Sequence, residues 1–304
     1  MMQTTNSLLM VRPFFFRRNE ETAVNNYFQA ENERTDRLAD LAAAEFDNFV
    51  KALKEAGIKV FVVQDSGKLD TPDSIFPNNV ISFHYNKAII YPMFAENRRN
   101  ERLLNYVGKL DMAGKHYEII QDYTVYEDKN MFLEGTGSMI LDRVNKIAYC
   151  SISERANEEL FMIFCKDQEY KPIVFNSTQH VGDLFLPIYH TNVMMSIGTN
   201  FSLICLDTIR NSEERELVIA QLISVGRELI EISEKQMNSF AGNILEVKNI
   251  DGDPIICMSS QAYDSFSEKQ IEKLEKHGRI VHAPLFSIEK YGGGSARCMM
   301  AELF

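Results

Sequence analysis

No stretch of this 304-residue chain approaches the roughly 18 uninterrupted apolar residues that a membrane-spanning helix requires. The opening MMQTTNSLLMVRPFFFRR holds only a short apolar run, broken by Arg12 and Pro13 and followed rather than preceded by basic residues. No secretory signal is expected there, and a cytoplasmic location is. Basic blocks are also missing. With 32 Lys and Arg against 43 Asp and Glu, the formal net charge is -11, which argues against nucleic acid and anionic membrane as partners and favours small molecules. The five cysteines, Cys150, Cys165, Cys205, Cys257 and Cys298, form no CxxC pair, which excludes a disulfide framework and a zinc site. The glycine clusters at Gly135 and Gly137 and at Gly292 to Gly294 do not open a helix after a strand, so a doubly wound nucleotide-binding fold lacks its fingerprint. There is no low-complexity linker and no repeat of fixed period, so residues 1–304 are expected to form a single domain.

What remains is a globular composition, 45% hydrophobic and 25% charged. Strand-like runs are expected at 8–11, 59–63, 80–83, 87–91, 138–142, 147–150, 193–197, 201–206, 255–259 and 279–283. Helical spacing of apolar residues predicts helices over 38–56, 99–110, 154–166, 212–230 and 267–277. The class is α/β. Two strand pairs are joined by only a few residues, through His84-Tyr85-Asn86 and through Arg143-Val144-Asn145, so hairpins are expected and the sheets are not all parallel.

Four cysteines lie inside apolar runs and read as buried, inert thiols. Cys298 differs, because it follows Gly292-Gly293-Gly294-Ser295-Ala296-Arg297, a run whose backbone can admit a ligand. A cysteine nucleophile needs a base. Of the six histidines, His84 sits at a hairpin turn, His116 and His277 stand among charges near helix ends, His180 follows a polar stretch, and His282 reads as a core or hydrogen-bonded strand residue. His190, in Tyr189-His190-Thr191-Asn192 just ahead of a strand, is the best placed, and Glu134 stands similarly ahead of another strand. A satisfied structural histidine would look the same. The stretch from Glu231 to Asn243, which holds Asn238-Ser239-Phe240-Ala241-Gly242-Asn243, is expected to lend backbone to a site.

Five segments in order carry a family resemblance: Met10-Val11-Arg12-Pro13, Thr71-Pro72-Asp73-Ser74-Ile75-Phe76-Pro77-Asn78-Asn79, Leu133-Glu134-Gly135-Thr136-Gly137-Ser138, Tyr189-His190-Thr191-Asn192, and the Gly292 to Cys298 loop. The chain resembles the amidinotransferase and arginine deiminase (pentein) superfamily, nearest to bacterial citrulline utilization hydrolases and dimethylarginine hydrolases. The resemblance implies an α/β propeller of five ββαβ-type units around a pseudo-fivefold axis. It also implies that Cys298 attacks the guanidino or ureido carbon of a small amino-acid substrate, that His190 acts as acid and base, and that Glu134 orients. Asp73, Phe76, Asn78, Asn79 and Asn192 would bind substrate, with Arg98 (or Arg99) and Arg155 on its carboxylate through their planar forks. No metal or organic cofactor is implied.

Departures from the pattern bear on the substrate. Asn78, Asn79 and Asn192 stand where guanidinium-binding members place acids, and Gly137 stands where one version of the motif carries aspartate. A dry cation needs a compensating charge, whereas a neutral ureido group needs donors and acceptors, which asparagine supplies. The expected reaction is citrulline to ornithine, ammonia and carbon dioxide. The alternatives are an arginine deiminase or dimethylarginine dimethylaminohydrolase, an amidinotransferase, and a catalytically silent amino-acid sensor.

Overall fold

The computed structural model describes residues 2–30 and 37–304. Its strands build five three-stranded sheets that share one plan, in which the middle strand pairs antiparallel with one neighbour and parallel with the other. Strand β1 (Ser7–Arg12) lies between β17 (Ala301–Glu302), antiparallel, and β2 (Lys59–Gln64), parallel. The next sheet runs β3 (Ile81–His84), β4 (Lys87–Ile90) and β5 (Glu118–Asp122). It is followed by β6 (Met139–Asp142), β7 (Ile147–Ser151) and β8 (Lys171–Phe175). A separate hairpin, β9 (Thr178–Val181) and β10 (Leu184–Pro187), precedes the sheet of β11 (Met195–Ile197), β12 (Phe201–Ile204) and β13 (Glu228–Glu231). The last comprises β14 (Leu245–Lys248), β15 (Pro254–Ser259) and β16 (Arg279–Ala283).

In every sheet the parallel pair is joined through helix, as a parallel connection requires. The first crossover is the helix Leu38–Glu55, whose buried face of Ala42, Phe46, Phe49, Val50 and Leu53 follows the spacing of one helical stripe. Its stripe packs with Leu8, Met10, Leu285 and Ile288. The antiparallel partner, by contrast, needs only a hairpin, as at Tyr85-Asn86 between β3 and β4. Neighbouring sheets meet through these outer antiparallel strands, with β17 against β3, β6 against β11, and β11 against β14. The first strands are accordingly almost wholly buried.

Both expected hairpins and all ten expected strands are present, some of them shifted by a few residues. The run 193–197 is strand only from Met195, because residues Thr191–Met194 form one helical turn. The helix expected over 212–230 stops at Ser224, where Gly226 takes φ +78, and its last residues instead form β13. The helix expected over 99–110 is divided by Asn105, whose φ of 53 lies in the left-handed region and whose side chain caps Gly108 N. The helix expected from 154 begins at Glu158, with Asn157 accepting from Leu160 N as its N-cap. Strands β5, β8, β13, β14 and β17 and the β9–β10 hairpin lie outside the expected runs.

Two sheets are pinned at their hairpin ends by a buried ion pair. Arg227 donates to the carboxylate of Asp142 at 2.5 Å and to Gly198 O at 2.9 Å, while Asn145 donates to Asp142 from its backbone and side chain. Removing one partner of such a pair strands a buried charge. Asp142→Ala is therefore expected to cost about 3 kcal/mol of stability. Urea unfolding at constant m-value measures it, against a Glu55→Ala surface control that stays within about 0.5 kcal/mol.

Candidate active site

Just ahead of each antiparallel outer strand the chain makes a tight turn. The first three are Pro77–Asn79 before β3, Gly135–Ser138 before β6 and Thr191–Met194 before β11. The others are residues 239–244 before β14 and Ala296–Met299 before β17. Asn78, Thr136, Asn192 and Cys298 each stand three positions ahead of their strand, and Glu134 and His190 each stand five positions ahead. The turns touch one another: 77–79 lies against both 135–138 and 296–299, and 135–138 lies against 191–194. Glycine makes this closeness possible. A Cβ at Gly135, whose φ is +48, would meet Asn78 O at 2.3 Å, and one at Gly137 would meet Asn79 Nδ2 at 2.2 Å and His190 Nδ1 at 2.8 Å.

The turns bring Glu134, His190 and Cys298 into one buried cluster. His190 Nε2 and Glu134 Oε2 are 2.8 Å apart. Glu134 also accepts from Phe94 N at 3.0 Å and has Arg98 and Arg155 each at 3.7 Å. Burial alone would raise its carboxyl, but Arg155, His190 and Arg98 hold it down at about 2. Burial pushes His190 down to about 4 against the opposing pull of Glu134. The pair is thus a carboxylate facing a neutral imidazole at neutral pH. The sulfur of Cys298 has amide neighbours, Asn243 Nδ2 at 3.2 Å and Asn192 Nδ2 at 3.4 Å. The other four cysteines are buried as expected, and burial pushes their thiols up, to about 12 at Cys165 and Cys205.

Arg98, rather than Arg99, is the inward residue: its side chain is 2% exposed against 29%. It binds Glu101 through Nε at 2.8 Å and Nη2 at 3.0 Å, and donates to Asn79 Oδ1 at 2.9 Å and Phe76 O at 3.3 Å. Asp73 lies 3.8 Å from Arg98 and accepts from Asn19 and Thr22 through one oxygen. Its Oδ1 and the Nδ2 of Asn79 are buried without a partner. Arg155 donates to Asn25 Oδ1 at 2.8 Å and to Thr22 O at 2.7 Å, and stacks 4.9 Å from the Tyr189 ring. Asn78 Nδ2 reaches Thr136 Oγ1 at 3.3 Å, and the Phe76 ring lies against Gly292 and Gly294.

Sequence reasoning missed the residues that close the cavity from above. Asn19, Thr22, Asn25, Asn26 and Gln29 come from a segment without periodicity, and Asn26 and Gln29 donate to Gly292 O at 3.4 and 3.1 Å. The space left among Asn26, Asp73, Asn79, Arg155, His190 and Cys298 is about 10 Å³, the scale of one water molecule. Roomier pockets lie elsewhere, about 640 Å³ beside His84, Arg143, Lys146 and Tyr170 and about 670 Å³ beside Gly57, Asn249 and Arg279, and include none of these groups. The stretch from Glu231 to Asn243, expected to lend backbone, lends Asn243, whose backbone oxygen accepts from Arg297 N at 3.4 Å and whose side chain reaches Cys298 Sγ. The other histidines stand apart, with His282 exposed, hydrogen-bonded to Ser260 and stacked on Tyr263. Among the described residues no group of three or more His, Cys, Asp or Glu could hold a metal, and no helix is long and apolar enough to cross a membrane.

A family model described as N,N dimethylarginine dimethylhydrolase, eukaryotic, matches residues 12–304. The chain belongs to the pentein superfamily. This pentein is a hydrolase of the class that acts on the carbon–nitrogen bonds of ureido or guanidino groups. Solved structures share its mixed α/β fold. The N-terminal domain of ArgZ, an arginine dihydrolase from the ornithine–ammonia cycle in cyanobacteria, bound to substrate, matches with TM-score 0.75 and 15% identity over 97% of each chain. AgrE with L-arginine matches with TM-score 0.75 and 16% identity over 98% of this chain and 40% of that one. A dimethylarginine dimethylaminohydrolase adduct with S-methyl-L-thiocitrulline matches with TM-score 0.63 and 14% identity, over 99% and 100%. At these identities the likeness speaks for the fold. No curated protein sequence matches the pentein.

The depressed His190 value has a consequence for stability. Between about 4 in the fold and about 6.5 in the unfolded chain, the unfolded state binds more protons, so stability rises with pH across that window and falls as pH drops through it. Glu134 adds to the loss only at lower pH, below the ordinary carboxylate range. Going from about pH 7 to about pH 5 should remove on the order of 2 kcal/mol through His190. Denaturant titrations at the two pH values measure this, and His190→Gln should reduce the loss.

Proposed function

We propose that this pentein hydrolyses citrulline to ornithine, ammonia and carbon dioxide, with Cys298 as nucleophile, His190 as acid and base, and Glu134 orienting His190. The carrying observation is the buried amide of Asn79, held through its oxygen by Arg98 and left with an unpartnered Nδ2 donor in the cavity. A ureido oxygen needs such a donor, whereas a guanidinium has no lone pair to offer it. Asp73, which lines the cavity, and Glu134, which is bonded to the lining residue His190, already have arginine beside them, so a second cation finds little uncompensated charge. Asp73 Oδ1 remains as an acceptor for a substrate N–H.

In this reading the thiol proton of Cys298 passes to His190 as sulfur bonds to the ureido carbon. His190 then gives that proton to the departing nitrogen, ammonia leaves, and a thiocarbamate on Cys298 remains. Water, deprotonated by His190, displaces the sulfur, and the resulting carbamate loses carbon dioxide to give ornithine. Arg155 is the better carboxylate ligand, because its hydrogen-bond partners, Thr22 O and Asn25 Oδ1, are uncharged, whereas Arg98 is held by the carboxylate of Glu101. Arg98 stays bound to Glu101 and positions Asn79, while Asn78, Asn192 and Phe76 shape the pocket. We further propose that the five like sheets close into one propeller spanning 1–304 around a pseudo-fivefold axis. The common strand order and the mutual contact of their turns support it.

Product analysis with citrulline, arginine and dimethylarginine tests the assignment, with Cys298→Ser as the control. Ornithine and ammonia from citrulline, abolished in the control, are expected. Citrulline from arginine or dimethylarginine would replace the ureido reading with a guanidino one, and no product would favour group transfer or a silent sensor. Asn79→Asp should lower kcat/KM for citrulline on the order of a hundredfold, since it exchanges the donor for a charge.

A further inference from the structure

The mechanism leaves one residue at the reacting sulfur without a role. Asn243 is fully buried, and its Nδ2 lies 3.2 Å from Cys298 Sγ and 2.9 Å from Asn192 O. Its Oδ1 accepts from Cys298 N at 3.4 Å, and its backbone oxygen accepts from Arg297 N at 3.4 Å. The side chain therefore grips the nucleophile at both backbone and sulfur. The local backbone is shaped for this contact. Phe240 takes φ 61, and Gly242 lies where a Cβ would meet Val193 O at 2.2 Å, so the turn presses against Thr191–Met194 and brings Asn243 beside Asn192.

A sulfur sealed from water needs stabilisation when it becomes a thiolate, and a hydrogen bond to the charged form supplies it. His190 is turned toward Glu134, and among the described residues the sulfur is hydrogen-bonded by amides rather than by a cation. We infer that Asn243, acting with Asn192, is a catalytic residue whose amide N–H stabilises the Cys298 thiolate as its proton leaves for His190. As the S–C bond forms, negative charge leaves the sulfur and the hydrogen bond weakens. When water later displaces the sulfur, the charge and the hydrogen bond return. The inference rests on Cys298 being the nucleophile, but not on which ureido or guanidino substrate it attacks.

The experiment is a titration of the substrate-free enzyme by thiolate ultraviolet absorbance, with the Cys298→Ser spectrum subtracted. In Asn243→Ala the Cys298 midpoint should rise by about one pH unit or more relative to wild type, a tenfold fall in thiolate at a given pH. Asn243→Asp, nearly the same shape, keeps the acceptor for Cys298 N and should raise the midpoint further by placing a carboxylate at the sulfur. On the substrate that wild type turns over, kcat should fall about tenfold or more with KM little changed. Unshifted midpoints in both folded variants would overturn the inference and leave Asn243 a packing residue. Shifted midpoints in an enzyme that acts on neither citrulline nor guanidino compounds would overturn the proposed reaction while leaving the thiolate role intact.

Discussion

Glu134 is the group around which the cavity is organised. A carboxylate sealed from water is stable only among donors and positive charge, and here it has His190, the amide of Phe94 and two arginines about it. Each partner belongs to a different part of the chain, so satisfying this one charge draws several sheets together. Arg98 extends the arrangement to Glu101, Asp73 and Asn79, and Arg155 extends it to the covering segment. Burial pushes the Glu101 carboxyl up and Arg98 pulls it back, so this pair too depends on its partner being in place.

The same small device is used five times: a tight turn, then a short buried strand. Because the turns meet, side chains distant in sequence become neighbours without any long insertion. The device tolerates different chemistry in each copy, a carboxylate in one, an imidazole in another, a thiol in a third and amides in the rest. Architecture is repeated while the reactive groups are not.

That contrast explains what could be read from the sequence. Three of the antiparallel pairs, β3 with β4, β6 with β7 and β11 with β12, and most crossover helices carry visible periodicity, and the five motif segments mark Asp73, Glu134, His190 and Cys298, which the fold does bring together. Strands β5 and β13 hold only two apolar residues each between charged or polar ones, and the Ile173-Val174-Phe175 run of β8 begins with Pro172, so none reads as a strand by itself. The helix break at Asn105 depends on a left-handed residue that composition does not announce. The polar cover from Asn19 to Gln29 has no periodicity to detect, since it is held by side-chain bonds to distant backbone. Asn243 was within the segment singled out, but its spacing ahead of β14 becomes informative only once the other turns are superimposed on it.

The pairing of Leu8 with Glu302 and Leu9 with Ala301 means that one sheet is assembled from opposite ends of the chain. The turn that carries Cys298 leads straight into that late strand, β17. Such a contact closes the loop between residues 8 and 302 and belongs to the slow end of folding. The strand that fills this sheet edge and the turn that carries the thiol are continuous, so ordering one orders the other. Chemical competence therefore waits on the most distant pairing in the fold rather than on any local element.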